Sequence, residues 1–560
     1  MQLMSQSQNA RSTPEPVPSG NGPIEDWLEA HSDLAALAVV ALGLALRTRA
    51  ARGTFLNPDE ALHYFIANRA SWALMYQASL TMAHPPLLFF LLYLWRHVGS
   101  SEFVLRLPSV LAGTAFCWVF FKWMTGVFGR APAWIGLIFV TLLPPMVALA
   151  AEVRQYELLL LFAVSAAYFL ERALAQNSTG FLLASFACLY LAMLSHYSGF
   201  LFAAAMGIYS LFRILNREAS TGLRVTWLAG ETGTLGLGLA LYVTHIAHLK
   251  NTIMAEEAFD SWLYKSYLHR GQNPLLFVVV RSFSVFQYIS GQRAIGDFMV
   301  LFFIAGIVLL LRGKVSLPKP GPTVRQTAAL LILPFAVNCG AALVDAYPYG
   351  GTRHSVFLVI FATAGVGLCL ARLTQNRLVR GIAVTTLIVL LCVAFRSIYR
   401  PYIAAADQSQ AQMHKAIAFV REQISASDPI FVDYESGLLL GHYLCEQRQI
   451  SYDGSVPGFL VFQCGGHRII STNDDLWSFT PQSFLRQWSD LMRSGQFRPG
   501  EGVWVGEAGF SVTLDDDLRR EFSAFPDLQT QAFGKNIRLF RITVGRPMPN
   551  PTPPIQKPGM

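Results

Sequence analysis

The feature that most restricts how this chain can fold is a series of long apolar runs recurring from Leu34 to Phe395. They lie near Leu34–Leu46, Val104–Phe121, Pro132–Ala151, Leu158–Leu170, Phe181–Leu194, Phe200–Leu215, Val225–Ala247, Phe298–Leu311, Ala328–Val344, Val356–Leu370 and Ile382–Phe395. Crossing the hydrocarbon of a bilayer takes about 20 apolar residues in a helix. In that solvent a backbone must satisfy its own polar groups, so the runs predict helices. The fold class is an α-helical multi-pass membrane protein with about eleven transmembrane helices. The first run is the shortest fit, because Asp33 and Arg47 bracket it; it reads as a short tilted span or an interfacial helix. Composition agrees: 53% of the 560 residues are hydrophobic and 14% charged, against about 25% charged in soluble domains.

Pro85–Trp95 and Leu275–Ile289 are also apolar, but the first opens on Pro-Pro and the second contains Arg281. Both read as helices lying at the interface. With a cytoplasmic amino terminus, the inside connectors hold Lys122 and Arg130, then Arg213, Arg217 and Arg224, then Arg312, Lys314, Lys319 and Arg325, then Arg372, Arg377 and Arg380. The outside connectors mix signs, with Glu256, Glu257 and Asp260 beside Lys250 and Lys265. That is the positive-inside pattern, expected of a cell inner (plasma) membrane protein. It also accounts for the net charge of +8 without nucleic acid. No short repeat points to a solenoid or propeller.

Residues 1–32 read as a disordered cytoplasmic segment without the pattern of a cleaved leader. The membrane domain covers 33–400. Beyond Arg396 helical and strand patterns alternate: Gln408–Ser425 and Leu438–Glu446 as helices, Pro429–Tyr434, Gly502–Gly506 and Asn536–Ile542 as strands, and an amphipathic Asp515–Phe525. This predicts a small C-terminal α/β extracytoplasmic domain, 405–545, with no Gly-rich phosphate loop, and a disordered Pro-rich tail, 546–560. Of seven cysteines, Cys445 and Cys464 fall in that domain, where an oxidising compartment would allow a disulfide.

Counting spans places nearly every conspicuous polar group on the outer side. These are Asp59-Glu60 (within Asn57-Pro58-Asp59-Glu60-Ala61), His84 (ahead of Pro85-Pro86), Glu152-Val153-Arg154-Gln155-Tyr156, Ser195-His196-Tyr197 and the stretch from Asp345 to His354. Acids and arginines at membrane level are costly to hold, so their convergence on one face reads as one external active site. The arrangement resembles the protein O-mannosyltransferase and aminoarabinose-transferase group of the GT-C superfamily, from about Asp33 to Tyr399 and most specifically over 56–113.

That resemblance implies inverting transfer of a monosaccharide from a polyprenyl-phosphate donor to an acceptor glycan, lipid or protein at the outer face. It puts Asp59 as catalytic base, with Glu60 orienting the acceptor or raising the pKa of its neighbour. A structural alternative is that Pro58-Asp59-Glu60 simply opens a helix. Arg106, Arg154 and Arg353 are candidate phosphate ligands; Arg106 reads equally as a snorkelling anchor, and Glu152 as a pairing partner for Arg154. His84 stands where aminoarabinose transferases carry Lys, so its charge is conditional. Tyr156, His196, Tyr197, Tyr349 and His354 complete the substrate-binding set, with interface anchoring as their plainer reading. Cofactor dependence is not expected; Glu60 and His63 share a helical spacing that suits a divalent metal, yet two ligands do not make a site. The alternative function is a transporter or flippase of lipid-linked glycans, though no repeated halves are visible.

Overall fold

The computed structural model describes residues 31–80, 82–215, 219–249, 259, 262–374, 409–445, 450, 452–473, 477–521, 528 and 530–545. The readings for 1–30, the eleventh run at Ile382–Phe395, the tail from 546, and Glu256, Glu257 and Asp260 lie outside them.

Each of the first ten apolar runs falls on a helix or a helix pair. In chain order the helices are α1 (Ser32–Ala51), α2 (Pro58–Ala67), α3 (Trp72–Ser79), α4 (Leu87–Trp95), α5 (Glu102–Phe128), α6 (Arg130–Leu142), α7 (Pro144–Ala150), α8 (Tyr156–Gln176), α9 (Thr179–Ser195) and α10 (Ser198–Leu215). They continue with α11 (Thr221–Leu241), α12 (Pro274–Ser290), α13 (Arg293–Leu311), α14 (Val324–Leu343) and α15 (Val359–Leu373), the last preceded by a 3₁₀ turn Arg353–Leu358. Among the described residues seven helices are long and apolar enough to cross a membrane, and α6 with α7 makes an eighth, bent by 57°. This is a multi-pass membrane protein. The shortfall from eleven has particular causes: α9 has 17 residues, α11 carries five glycines and Glu231, and the last run is not described.

The prolines show how this bundle satisfies its backbone. Pro144 and Pro145 have no N–H to offer Val140 and Thr141 four residues back. Arg47 supplies the missing donors, to Val140 O at 3.0 Å and Thr141 O at 3.3 Å. So Arg47 does not end the first span, as the sequence suggested: it is fully buried, and α1 runs on to 20 residues. Pro108 likewise orphans Val104 O, which accepts the Trp95 indole N–H at 2.7 Å.

The carboxy-terminal domain opens with α16 (Gln410–Gln423) and closes with a six-stranded mixed sheet in the order β2-β3-β1-β4-β6-β5. The strands are β1 (Ile430–Val432), β2 (Phe459–Cys464), β3 (His467–Thr472), β4 (Gly502–Ala508), β5 (Thr530–Ala532) and β6 (Ile537–Thr543). Helices α17 (Tyr434–Leu444), α18 (Pro481–Arg493) and α19 (Leu514–Glu521) lie between them. β1 pairs in parallel with β3 and β4, as crossover helices require. Cys445 and Cys464 form a disulfide from the end of α17 to the end of β2. The domain sits directly on the membrane bundle. A Cβ at Gly441 of α17 would lie 2.9 Å from the tip of the Phe65 ring of α2, so any larger residue there would have to displace that ring.

Candidate active site

α2 begins on an Asn-Pro cap. Asn57 Oδ1 accepts the Glu60 N–H and Glu60 Oε2 accepts the Asn57 N–H, both at 2.9 Å, a reciprocal capping box with Pro58 at the first helical position. Successive helical side chains point about 100° apart, so Asp59 and Glu60 face different partners.

Glu60 turns inward and is 1% exposed. Its carboxylate receives Arg106 Nε at 2.8 Å and Nη2 at 2.7 Å, a bidentate pair, and the Val153 N–H at 2.8 Å. Arg106 spends its remaining donors on Ala51 O, Thr54 O, Thr54 Oγ1 and Phe55 O, at 2.8–3.1 Å. Arg106 therefore fastens the strand entering α2 to α5, and it is neither a snorkelling anchor nor open to a phosphate. Glu60 likewise has no free oxygen to offer an acceptor or a metal. His63 engages the Asp59 carbonyl and His84 instead, and among the described residues no three metal-ligating side chains cluster.

Asp59 turns outward, with 21% of its side chain exposed. It pairs with Arg154, whose side chain is 5% exposed, and with Arg353 Nη2 at 3.4 Å. Arg154 is set by the loop before α8, where the Val153 N–H is held by Glu60 and the Arg154 carbonyl accepts Ser109 Oγ at 3.0 Å. Glu152 lies 3.9 Å from Arg154 Nε. Burial, then the Glu60 charge, pushes its carboxyl up to about 7. Arg353 is delivered by Gly350-Gly351. A Cβ on Gly351 would sit 2.7 Å from Ser284 O of α12, and the Gly351 N–H donates to Ser284 Oγ at 3.0 Å.

Arg154 and Arg353 both reach Asp59, so an even number of crossings separates each of them from it. α5 and the α6–α7 pair lie between Asp59 and Arg154; α8, α9, α10, α11, α13 and α14 lie between Arg154 and Arg353. The count stays even if neither α4 nor α12 crosses. α4, with 9 residues, is about 13 Å long, too short to cross in any case.

Imidazoles line the same mouth. His63 Nδ1 meets the Asp59 carbonyl oxygen, so that nitrogen carries the proton; its Nε2 then accepts from His84 Nε2. Burial, the largest cause for both, lowers His63 to about 3 and holds His84 well below its usual value. His84 is thus a neutral hydrogen-bonding group where a lysine would be a cation. His196 stands 5.1 Å from the Tyr156 ring and 5.8 Å from His354, and its Nδ1 meets Ser198 Oγ at 2.8 Å. Arg353 lies 6.0 Å over the Tyr156 ring. Tyr197 stacks beside Phe200 at 6.2 Å. Tyr349 is drawn away from the mouth: it is 1% exposed and its hydroxyl meets Ser282 at 2.8 Å, so it braces α12 rather than presenting a ring to a sugar.

Two participants gave no sequence signal. Tyr443 of α17 accepts the Leu56 N–H at 2.8 Å and donates to Glu102 at 3.0 Å. Gln410 donates to both Glu102 oxygens at 3.1 Å. The carboxy-terminal domain therefore holds the residue preceding the α2 cap, across 387 positions of sequence. His63 had a signal, its four-residue spacing from Asp59, but not its pairing with His84.

Residues 83–248 match the family described as dolichyl-phosphate-mannose-protein mannosyltransferase. No curated protein matches. Among solved structures, ArnT from Cupriavidus metallidurans in the apo state is 12% identical, with 93% of this chain and 98% of that one covered and a TM-score of 0.51. The same protein bound to undecaprenyl phosphate is 12% identical over 92% and 99%, with a TM-score of 0.49. Archaeal oligosaccharyltransferase AglB from Archaeoglobus fulgidus, in complex with an inhibitory peptide and a dolichol-phosphate, is 12% identical over 74% and 64%, with a TM-score of 0.45. The chain thus shares its fold with ArnT, and over residues 83–248 it is similar in sequence to the dolichyl-phosphate-mannose-protein mannosyltransferase family.

Proposed function

We propose that this chain is an inverting glycosyltransferase, moving one sugar from a polyprenyl-phosphate donor to an acceptor hydroxyl at the outer face of an inner membrane. The observation that carries the reading is Asp59, half-open at the bundle end and paired with Arg154 and Arg353. The matched family, whose described donor is a lipid-phosphate mannose, supports the donor class.

The two guanidiniums form a planar, permanently charged receptor for the donor phosphate. Sharing them with a phosphate loosens their hold on Asp59, which frees its carboxylate to accept a proton. The acceptor oxygen attacks the anomeric carbon from the face opposite the phosphate, and its proton passes to Asp59. The bond from carbon to phosphate oxygen breaks with its electron pair going to the lipid phosphate. Charge builds on that phosphate as the bond breaks, so fixed guanidiniums favour the transition state over the bound donor. His84 and His196, both neutral, are suited to hydrogen-bond sugar or acceptor hydroxyls. Glu60 and Arg106 act through position, by fixing α2 and the Arg154 loop. The transport reading has no comparable support, because these groups sit at helix ends rather than midway along broken helices.

The test is transfer by the purified protein from a panel of radiolabelled polyprenyl-phosphate sugars, followed by release of lipid phosphate. A panel that leaves every donor intact, alongside movement of intact lipid-linked sugar across vesicles, would favour transport instead. The outer location is tested by reporters after Thr543 and near Pro318, expected outside and inside respectively; a shared side would refute it.

A further inference from the structure

Behind the α2 cap, away from Asp59, lies a cavity of about 530 Å³ at the seam between the two domains. Its walls are α16, α17 and the first residue of α5, and Glu102, His414, Arg421, Glu422, His442 and Tyr443 line it. One wall residue is unsatisfied. His442 is fully buried, and neither of its ring nitrogens has a hydrogen-bond partner. Its nearest ring neighbours, Tyr64 and Tyr443, meet it edge-on and offer it no hydrogen bond.

The lining selects by chemistry. Two carboxylates, Glu102 and Glu422, oppose a simple anion, and the Arg421 guanidinium opposes a simple cation. Burial, with the charge of Arg106 behind it, lowers His442 to about 3, so it is neutral and presents one N–H donor and one lone pair. A hydroxyl group satisfies both roles, and adjacent hydroxyls also suit Glu422 as acceptor and Arg421 as donor. A peptide is less well served, because the walls are helices whose backbone is already paired, and among the described residues no strand lines the cavity. We propose that this cavity binds a hydroxyl-rich carbohydrate, with the His442 imidazole as its buried contact and Arg421 and Glu422 at its rim. Tyr443 lies in the wall and also holds the Leu56 N–H, so the occupant abuts the support of α2.

The test uses the full chain in lipid nanodiscs, since sugar-headed detergents would compete, with mannotetraose, maltotetraose and chitotetraose as probes and a Gly-Ser-Thr hexapeptide as the contrast. Saturable binding of at least one saccharide is expected. Arg421→Ala and Glu422→Gln, on the exposed rim, should each weaken it about tenfold or more, as should His442→Phe; Asp59→Asn should leave the affinity where it was. No saturable binding of any of the three, affinity indifferent to both rim variants, or binding of the peptide alone would overturn the proposal. Two kinds of occupant fit, a saccharide that is a covalent part of the acceptor and one that is a separate effector. With donor saturating, the first raises the acceptor KM and the second changes kcat; both keep the site. Transfer by Asp59→Asn is scored separately, so a failed cavity and a failed transfer reading give different results.

Discussion

Two groups of carboxylates in this molecule are held in opposite ways. At the membrane mouth Asp59 and Glu60 meet guanidiniums from three other segments, Arg106, Arg154 and Arg353. In the carboxy-terminal domain Asp433, Glu435 and Glu507 meet backbone amides. Asp433 caps α17 by accepting the Ser436 N–H at 2.9 Å and takes the Phe479 N–H at 3.3 Å. Glu435 accepts the Ser511 N–H at 3.0 Å, and Glu507 the Leu514 N–H at 3.0 Å. Among the described residues none of these three pairs with a cation. Burial therefore dominates, pushing Asp433 up to about 7 and Glu435 and Glu507 up to about 8. Burial alone does not decide whether an acid can do chemistry. Burial raises a carboxyl's hold on its proton, and a neighbouring guanidinium works against that by favouring the anion.

The comparison breaks first at Asp59. Asp59→Asn keeps shape but removes the base, and single-turnover transfer with saturating donor should fall about 10²–10⁴-fold. Near-normal transfer would demote Asp59 to the same capping part the domain acids play. The next largest effect is on stability. Arg106→Leu strands the Glu60 charge in the interior, at about 3–5 kcal/mol, seen as a lower Tm of the purified protein; Glu60→Leu combined with Arg106→Leu should recover part of it. A variant of parental stability that has lost donor binding would return Arg106 to the phosphate site.

Arg154→Ala should raise the donor KM by about 10- to 100-fold, and Arg154→Lys by less, because lysine keeps the charge and loses the planar fork. Equal effects would mean that charge alone matters. The smallest effect belongs to the domain. Its three acids bind protons more tightly folded than unfolded, so their stabilisation is complete below pH 4 and is lost as pH rises toward 7–8. The unfolding temperature of the domain, followed by tryptophan fluorescence, should fall by a few degrees between about pH 5 and pH 8. Asp433→Asn should flatten that slope. A rise with pH would mean that these acids are ionised in the folded domain.

The apolar runs, the α2 cap and most elements of the α/β domain were legible because each rests on residues within a few positions of one another. β2, β3, β5 and α18 were missed, although α18 carries a clear local signal, an amphipathic run behind a Thr480 cap with Pro481 at its start. The first span shows the limit of local pattern: Arg47 ends a helix by local rule, and only the carbonyls of Val140 and Thr141, 93 and 94 residues away and left open by Pro144 and Pro145, make it a buried donor.

The sequence by itself determined that two acids open a helix at the end of a membrane bundle, because Asn57-Pro58 and Glu60 form their cap locally. It did not determine which acid is bound and which is available. Helical rotation sends the neighbours to different faces, and the groups that claim them come from far along the chain. Arg106 lies 46 residues from Glu60, the Val153 N–H 93, and Arg353 lies 294 from Asp59. Only the packing of helices brings those partners to the mouth, and the partner fixes the part each carboxylate plays.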